Sequence, residues 1–264
     1  AEEVLGKDER IISVDSSYSD GEGSSYRLIS NGFEGESKST WFSVSASVSI
    51  KGEGEARPQD YWYDSALFYD KLTKTGIGAK ALERVLRKLG QKKAKSGKYT
   101  MVVDPMNVGN LLSPMLSALY GSALQQKNSF LMDKLDAKVA SDLFTLRDEP
   151  HVIGANGSRY FDNEGVATEP RTVFDKGVLK TYFIDTYNGK KMNMAPTIST
   201  PSRLILVPGD KDLNGLVADV KQGILVTGFN GGNSNSSTGD FSYGIEGFLI
   251  EDGKLTQPVN EMNV

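Results

Sequence analysis

From Thr40 to Ile50 the chain alternates, with Phe42, Val44, Ala46, Val48 and Ile50 at one set of positions and Ser43, Ser45, Ser47 and Ser49 at the other. A period of two puts each set on its own face, so the segment reads as a strand with one face buried. Tyr26–Ser30 is the expected antiparallel partner, Asn31-Gly32 begins the connection between them, and Pro58–Phe68, with Tyr61, Trp62 and Tyr63, reads as an aromatic strand. The period then changes. Ile77, Ala81, Leu82, Val85, Leu86 and Leu89 recur at helical spacing, with Thr75 placed to cap the start and Gly90 to end the helix. Lys98–Val103 reads as a short buried strand, and Asp104-Pro105 as a helix start. Val108, Leu111, Leu112, Met115, Leu116, Leu119 and Ala123 then form the apolar face of a second helix, interrupted by Pro114. Its other face is small: Ser113, Ser117 and Gly121, with Ser122 beside them, spaced so that another element can come close.

From Asp142 onward strands and turns dominate the pattern. Gly154–Gly157 is a predicted loop and Phe161–Gly165 a turn. Arg171–Phe174 and Val178–Ile184 form a predicted hairpin closed by Asp175-Lys176-Gly177. Asp185–Met194 and Leu213–Val220 read as short helices, Leu204–Val207 as a strand, and Asp252-Gly253 as the turn of a last hairpin. Ile224–Val226 and Phe248–Ile250 are short apolar runs that fit buried strands. Between them Gly, Asn, Ser and Thr follow one another almost without a break. Such a stretch cannot build a core, so it is expected to be a polar loop presenting amides and hydroxyls, or simply a wide solvated hairpin loop. The pattern as a whole predicts an α+β fold, largely antiparallel, with two or three helices; the length allows one large domain or two small ones, and a single domain over residues 1–264 is the expectation carried forward.

Composition narrows the function classes. With 264 residues the chain can bury a sizeable core, and its 28 glycines fit many tight turns. The net charge of −4 argues against a nucleic-acid surface, and Lys92-Lys93-Ala94-Lys95-Ser96-Gly97-Lys98 is read as a solvated helix exit. There is no cysteine, which removes disulfides, thiolate metal ligands and thiol nucleophiles, and there is one histidine. No run approaches the roughly 18 apolar residues of a membrane span, and the charged first residues do not resemble a signal peptide. A cytoplasmic protein without a membrane partner is expected.

Few residue groups point to chemistry. His151 follows Asp148-Glu149-Pro150, and a carboxylate beside an imidazole is compatible with a ligand pair or a general base, though a lone loop histidine is more simply structural. Asp162-Asn163-Glu164 resembles part of a calcium loop but lacks the EF-hand spacing and reads as a turn. Asp64-Ser65 and Asp240 with Ser242 pair carboxylate and hydroxyl without a base beside them, so neither makes a triad. Trp41 and Trp62 are read as core and sheet-face residues.

One resemblance covers nearly the whole chain from about Ser13 to Val264. It is carried by Gly228-Phe229-Asn230-Gly231-Gly232-Asn233-Ser234-Asn235 and Thr238-Gly239-Asp240-Phe241-Ser242-Tyr243-Gly244, and by Asn31–Gly35, Tyr61–Ser65, Ser129–Lys134, Phe161–Gly165 and Gly177–Tyr182 in the same order. On these segments the chain resembles the TldD/PmbA family, the modulators of DNA gyrase. The likeness implies that longer family members have an N-terminal domain and a C-terminal tail not found here. It also implies a zinc peptidase plan in the TldD-like branch, with an HExxxH helix and a later Cys. Laid on this chain, that helix has Ser117, Ala118 and Ser122 where His, Glu and His are expected. The likeness therefore implies the PmbA, or TldE-like, branch: a subunit without catalytic or metal residues of its own, acting in peptide proteolysis and maturation beside a TldD-like chain that holds the zinc. Asn230, Gly231, Gly232, Asn233, Ser234, Asn235, Thr238, Asp240 and Phe241 are the expected partner- or peptide-binding residues. A stand-alone zinc-independent peptidase and a homodimeric binding or scaffold module are the other readings.

Overall fold

In the computed structural model, which describes residues 2–264, eleven strands form three sheets and five α-helices pack on them. The first sheet is an antiparallel meander of β1 (Ile11–Leu28), β2 (Glu34–Ile50) and β3 (Gln59–Ala66). Ala46, Val48 and Ile50 are buried against Ile77, Ala81, Leu82 and Val85 of α1 (Ile77–Leu86), as the alternation requires. The left-handed residue that opens α1 is Gly76 (φ 78°), and the capping acceptor is not Thr75: Glu3 reaches in from the N-terminal segment to accept the Ala79 N–H at 3.2 Å.

The first hairpin is far longer than its hydrophobic pattern implied. β1 begins at Ile11 and not at Tyr26, and β3 covers only Phe42–Ser49 of β2. The remainder, Gly21–Leu28 against Glu34–Trp41, is a two-stranded arm with mostly exposed side chains. A two-stranded ribbon alone is marginal in water, so the arm needs an anchor at its tip. Phe33 supplies it by meeting Phe161 edge to face, ring centroids 4.8 Å apart, while Arg27 donates to the carbonyl of Asn163. Gly165 has φ +76°, and a Cβ there would overlap the Phe33 ring. A Cβ on Gly35 would come within 2.8 Å of the Phe161 ring.

The second sheet has the order β11 (Lys254–Asn263), β10 (Phe241–Glu251), β9 (Gln222–Ser234), β4 (Thr100–Val103), with β4 parallel to β9 and the other pairs antiparallel. Leu225, Phe248 and Ile250 are buried with Val217 of α5 (Leu213–Ala218), and Ile224, Val226, Ile245 and Val259 form a separate cluster. Lys92 does more than mark a solvated helix exit. Its N–H donates to Pro258 O at 3.1 Å and its carbonyl accepts from Asn260 N–H at 3.3 Å, a parallel bridge along β11.

The third sheet is β7 (Val178–Leu179), β6 (Arg171–Asp175), β5 (Leu146–Asp148), β8 (Leu204–Leu206), and Phe174, Leu179 and Phe183 share a core with Leu119 and Leu124. The predicted Val178–Ile184 strand stops at Leu179. The predicted second helix also splits, which with the two short helices brings the number to five. α2 is Val108–Ser117, the chain turns extended at Tyr120 (ψ 143°), and α3 is Gly121–Gln125. Tertiary pairing breaks it, because Phe183 N–H donates to Leu119 O at 2.9 Å and Gly121 N–H to Phe183 O at 2.7 Å. Gly121 lets α4 (Thr186–Met192) approach, since a Cβ there would lie 3.1 Å from Asn188 Cβ.

Candidate functional site

Ser117, Ala118 and Ser122 do not lie on one helix. Ser117 ends α2 and donates its hydroxyl to Ser113 O at 2.9 Å, Ala118 is buried at the helix end, and Ser122 is exposed on α3. Zinc needs imidazole, thiolate or carboxylate donors, and two hydroxyls and a methyl supply none of these. The residues at these positions do not fit the metal of the zinc peptidase plan. Among the described residues no group of three or more His, Cys, Asp and Glu side chains is arranged to hold a metal ion.

The polar stretch after Thr227 is mostly strand and not loop. Asn230, Gly231, Gly232, Asn233 and Ser234 belong to β9 and Phe241 opens β10, leaving a tight turn at 235–240. Asn235 N–H donates to Asp240 O, and Gly239 N–H to Asn235 O, both at 2.8 Å. The Asp240 N–H donates to the Thr238 hydroxyl at 3.3 Å. Phe130 N–H donates to Ser236 O at 2.8 Å and so ties the turn to the loop after α3. The glycines are required for strand pairing with a bulge: Gly232 has φ +130°, where a Cβ would lie 2.7 Å from Tyr243 Cα.

The other candidates make contacts within the fold. Asp162 is buried, and its carboxylate accepts from the N–H groups of Glu164 (2.8 Å), Val166 (2.9 Å) and Ser199 (3.0 Å). Burial pushes this carboxyl up, but the backbone donors outweigh burial and hold its pKa below the ordinary value. Asp64 is likewise held low, chiefly by the Thr73 N–H at 2.7 Å. His151 faces the Thr168 hydroxyl at 3.1 Å and lies against the ring of Tyr160, with no carboxylate on its ring nitrogens among the described residues.

The groups that converge come from elements far apart in sequence. Where α1 meets the second sheet, Arg84 Nε lies 3.2 Å from Asp60 of β3, and its guanidinium lies 3.8 Å from Asp104 at the end of β4. Lys88 Nζ lies 3.2 Å from the other Asp60 oxygen and 2.8 Å from Glu246 of β10. All five side chains are between 7% and 18% exposed, so two cations and three carboxylates share a largely desolvated site. This ion cluster separates two chambers of a cleft. One, about 340 Å³, is polar, with Gln59, Asn107, Asn110 and Asn230 on its walls. The other, about 350 Å³, opens between the end of α1, α5 and the β10–β11 turn. Of the predicted binding residues, Asn230 alone lines this cleft. The sequence carried one signal for it: Arg84 and Lys88 stand four apart beside the apolar stripe of a helix, a repulsive pair unless carboxylates from elsewhere face it.

Two family models match the chain, the PmbA/TldA metallopeptidase central domain at residues 1–89 and the C-terminal domain at residues 96–264. The ion cluster therefore lies on the seam between the two matched regions. A metalloprotease PmbA homolog of Haemophilus influenzae is 31% identical over 266 residues, which cover 99% of this chain and 59% of that protein. The crystal structure of a proposed modulator of DNA gyrase from Bacteroides thetaiotaomicron is 74% identical with a TM-score of 0.98, covering all of this chain and 60% of that one. TldE from Thermococcus kodakarensis shares the fold, with a TM-score of 0.83 at 21% identity, over 92% of this chain and 58% of that one. The chain thus spans less than two thirds of the length of these relatives. With both models matched end to end and the fold reproduced, this chain belongs to the PmbA/TldA metallopeptidase family.

Proposed function

We propose that this chain acts as a PmbA/TldE-type subunit of a TldD-type protease assembly, contributing peptide- and partner-binding surface while a TldD-like chain supplies the zinc and the hydrolysis. The observation that carries this reading is the donor chemistry at the α2–α3 junction. On the family resemblance, Ser117, Ala118 and Ser122 correspond to the positions where the peptidase plan needs two imidazoles and a carboxylate, in a chain with one histidine and no cysteine. The name of the TldE relative supports the subunit role, and the proposed setting is the cytoplasm; no helix among the described residues is long and apolar enough to cross a membrane.

In this reading the residues of this chain bind and orient. The cleft at the seam offers amide side chains from Asn107, Asn110 and Asn230 to a peptide backbone, and its ion cluster fixes the walls. The test is reconstitution: this chain, a TldD-like chain and their mixture are each assayed on an unstructured peptide, with zinc measured in each. Cleavage and stoichiometric zinc confined to the TldD-like chain and the mixture are expected. Peptide cleavage by this chain alone, unaffected by chelators, would replace the proposal with an independent peptidase.

A further inference from the structure

The cleft chamber beyond the ion cluster has an excess of positive charge that the structure leaves unused. Arg84 and Lys88 are neutralised by Asp60, Asp104 and Glu246. Arg87, at the end of α1, and Lys254, at the start of β11, both line this chamber and have no carboxylate partner within salt-bridge distance among the described residues. Arg87 is held in place by its guanidinium lying 4.6 Å over the ring of Phe248, which leaves its N–H edge open for a planar anion. The chamber wall has an apolar part beside its polar lining of Asp60, Asp104, Asn214 and Thr227. Leu225, Phe248 and Val217 are buried there, with Leu213 partly so, in a space of about 350 Å³. That volume is at the small end for a ligand pocket, enough for a terminal residue or two and too small for a folded partner.

We infer that this chamber binds the C-terminal carboxylate of a peptide whose last residue is apolar. Arg87 and Lys254 take the carboxylate, and the apolar part of the wall takes the side chain. The inference rests on the peptide-handling role proposed above and names the peptide end that this subunit holds. An apolar acid without a peptide backbone offers the same carboxylate and tail, but it has no amides for the polar chamber on the far side of Lys88.

The test is calorimetric titration of the protein with acetyl-Ala-Ala-Leu bearing a free carboxylate, with its C-terminal amide, and with decanoate. The free acid is expected to bind at least tenfold more tightly than the amide and more tightly than decanoate. Arg87→Gln and Lys254→Gln should each weaken the acid severalfold while leaving the amide unchanged, and Arg87→Lys should restore part of the loss. Both residues are on the surface, so the variants keep the fold, checked by an unchanged unfolding midpoint. Equal binding of acid and amide, no binding of the acid at millimolar concentration, equal loss of both ligands in the variants, or decanoate binding as tightly as the acid would each overturn the inference. Co-purification with a TldD-like chain is scored on the same samples. Lost peptide binding with assembly intact removes this inference alone, and lost assembly with peptide binding intact removes the subunit role alone.

Discussion

Replacing Asp162 by Ala removes an almost wholly buried carboxylate that accepts three backbone N–H groups, at 2.8, 2.9 and 3.0 Å. Hydrogen bonds to charged acceptors contribute about 1.5–3 kcal/mol each, and a buried donor left without a partner costs about 1–3 kcal/mol. The three bonds share one acceptor group and are not additive, and the Glu164 and Val166 donors lie in a turn that water reaches once the carboxylate is gone. The expected loss is therefore about 3–5 kcal/mol, a large fraction of the roughly 5–15 kcal/mol typical of a folded protein. Asp162→Asn is the informative comparison. Its amide oxygen can keep the two turn bonds made by Oδ1, while its NH₂ meets the Ser199 N–H, donor against donor, so about half of the loss is expected. Urea unfolding gives the totals. Amide hydrogen exchange gives the location, with Glu164, Val166 and Ser199 deprotected before the core strands.

The pH dependence has a fixed sign. A carboxyl whose folded pKa is depressed stabilises the fold above its unfolded pKa, near 4, and that contribution disappears as pH falls through the lower folded value. The wild type should therefore lose stability below about pH 4 more steeply than Asp162→Asn, and the gap between them should close at the acid end. A loss below about 1 kcal/mol in Asp162→Ala, or a gap that widens on acidification, would refute the account of Asp162 as the knot of this loop.

Three further outcomes follow from the same geometry. Gly165→Ala puts a methyl at φ +76° into the Phe33 ring and should cost about 2 kcal/mol or more, partly recovered in the Phe33→Ala double variant; a double-mutant cycle by urea unfolding measures the coupling. Lys88→Ala leaves Asp60 and Glu246 facing each other without their shared cation and should cost about 3–5 kcal/mol, whereas Lys88→Ala combined with Asp60→Asn and Glu246→Gln should recover much of it, read by thermal unfolding. Gly247→Ala drives a Cβ into the Leu225 carbonyl across the β9–β10 ladder and should abolish soluble folded protein, seen as loss of the cooperative transition.

Residues whose own burial sets their position were legible in the sequence. Ala46, Val48, Ile50 and the α1 stripe follow from period alone, because one face of each must leave water. The polar half of β1 was not legible. Ser16, Ser17, Ser19, Glu22 and Ser24 are exposed, and what keeps them extended is pairing with Lys38–Ala46 of β2 and a tip clasped by Phe161, a contact more than 120 residues away. The same holds for β9 beyond Gly228, where glycine-rich composition signals a loop but the backbone pairs with β10 through a bulge. Helix α2 was over-extended because Phe183 pairs with Leu119 and Gly121 through the backbone, a competitor that side-chain periodicity cannot reveal. Of the candidate site, Asn230 was named from the sequence, whereas the cleft itself needed β3, α1, β4 and β10 brought together.

The ion cluster also bears on the role proposed for the seam. Taking five charges to below one fifth exposure is a poor way to join two structural layers, since desolvation offsets most of the Coulomb gain and apolar residues of similar volume would hold at least as well. The layers already have apolar cores on both sides of the seam. Adhesion therefore does not require Lys88 and Arg84 where they are. What these two cations do is hold Asp60, Asp104 and Glu246 between the chambers, which keeps the cleft wall polar and leaves Arg87 and Lys254 as its cations without an ion-pair contact among the described residues. Neutralising Arg87 and Lys254 should accordingly leave the unfolding midpoint unchanged while peptide binding falls, and neutralising Lys88 alone should lower both. If Arg87→Gln destabilises the protein as much as Lys88→Ala does, the free cations serve the fold and the separation of roles along this cleft is refuted.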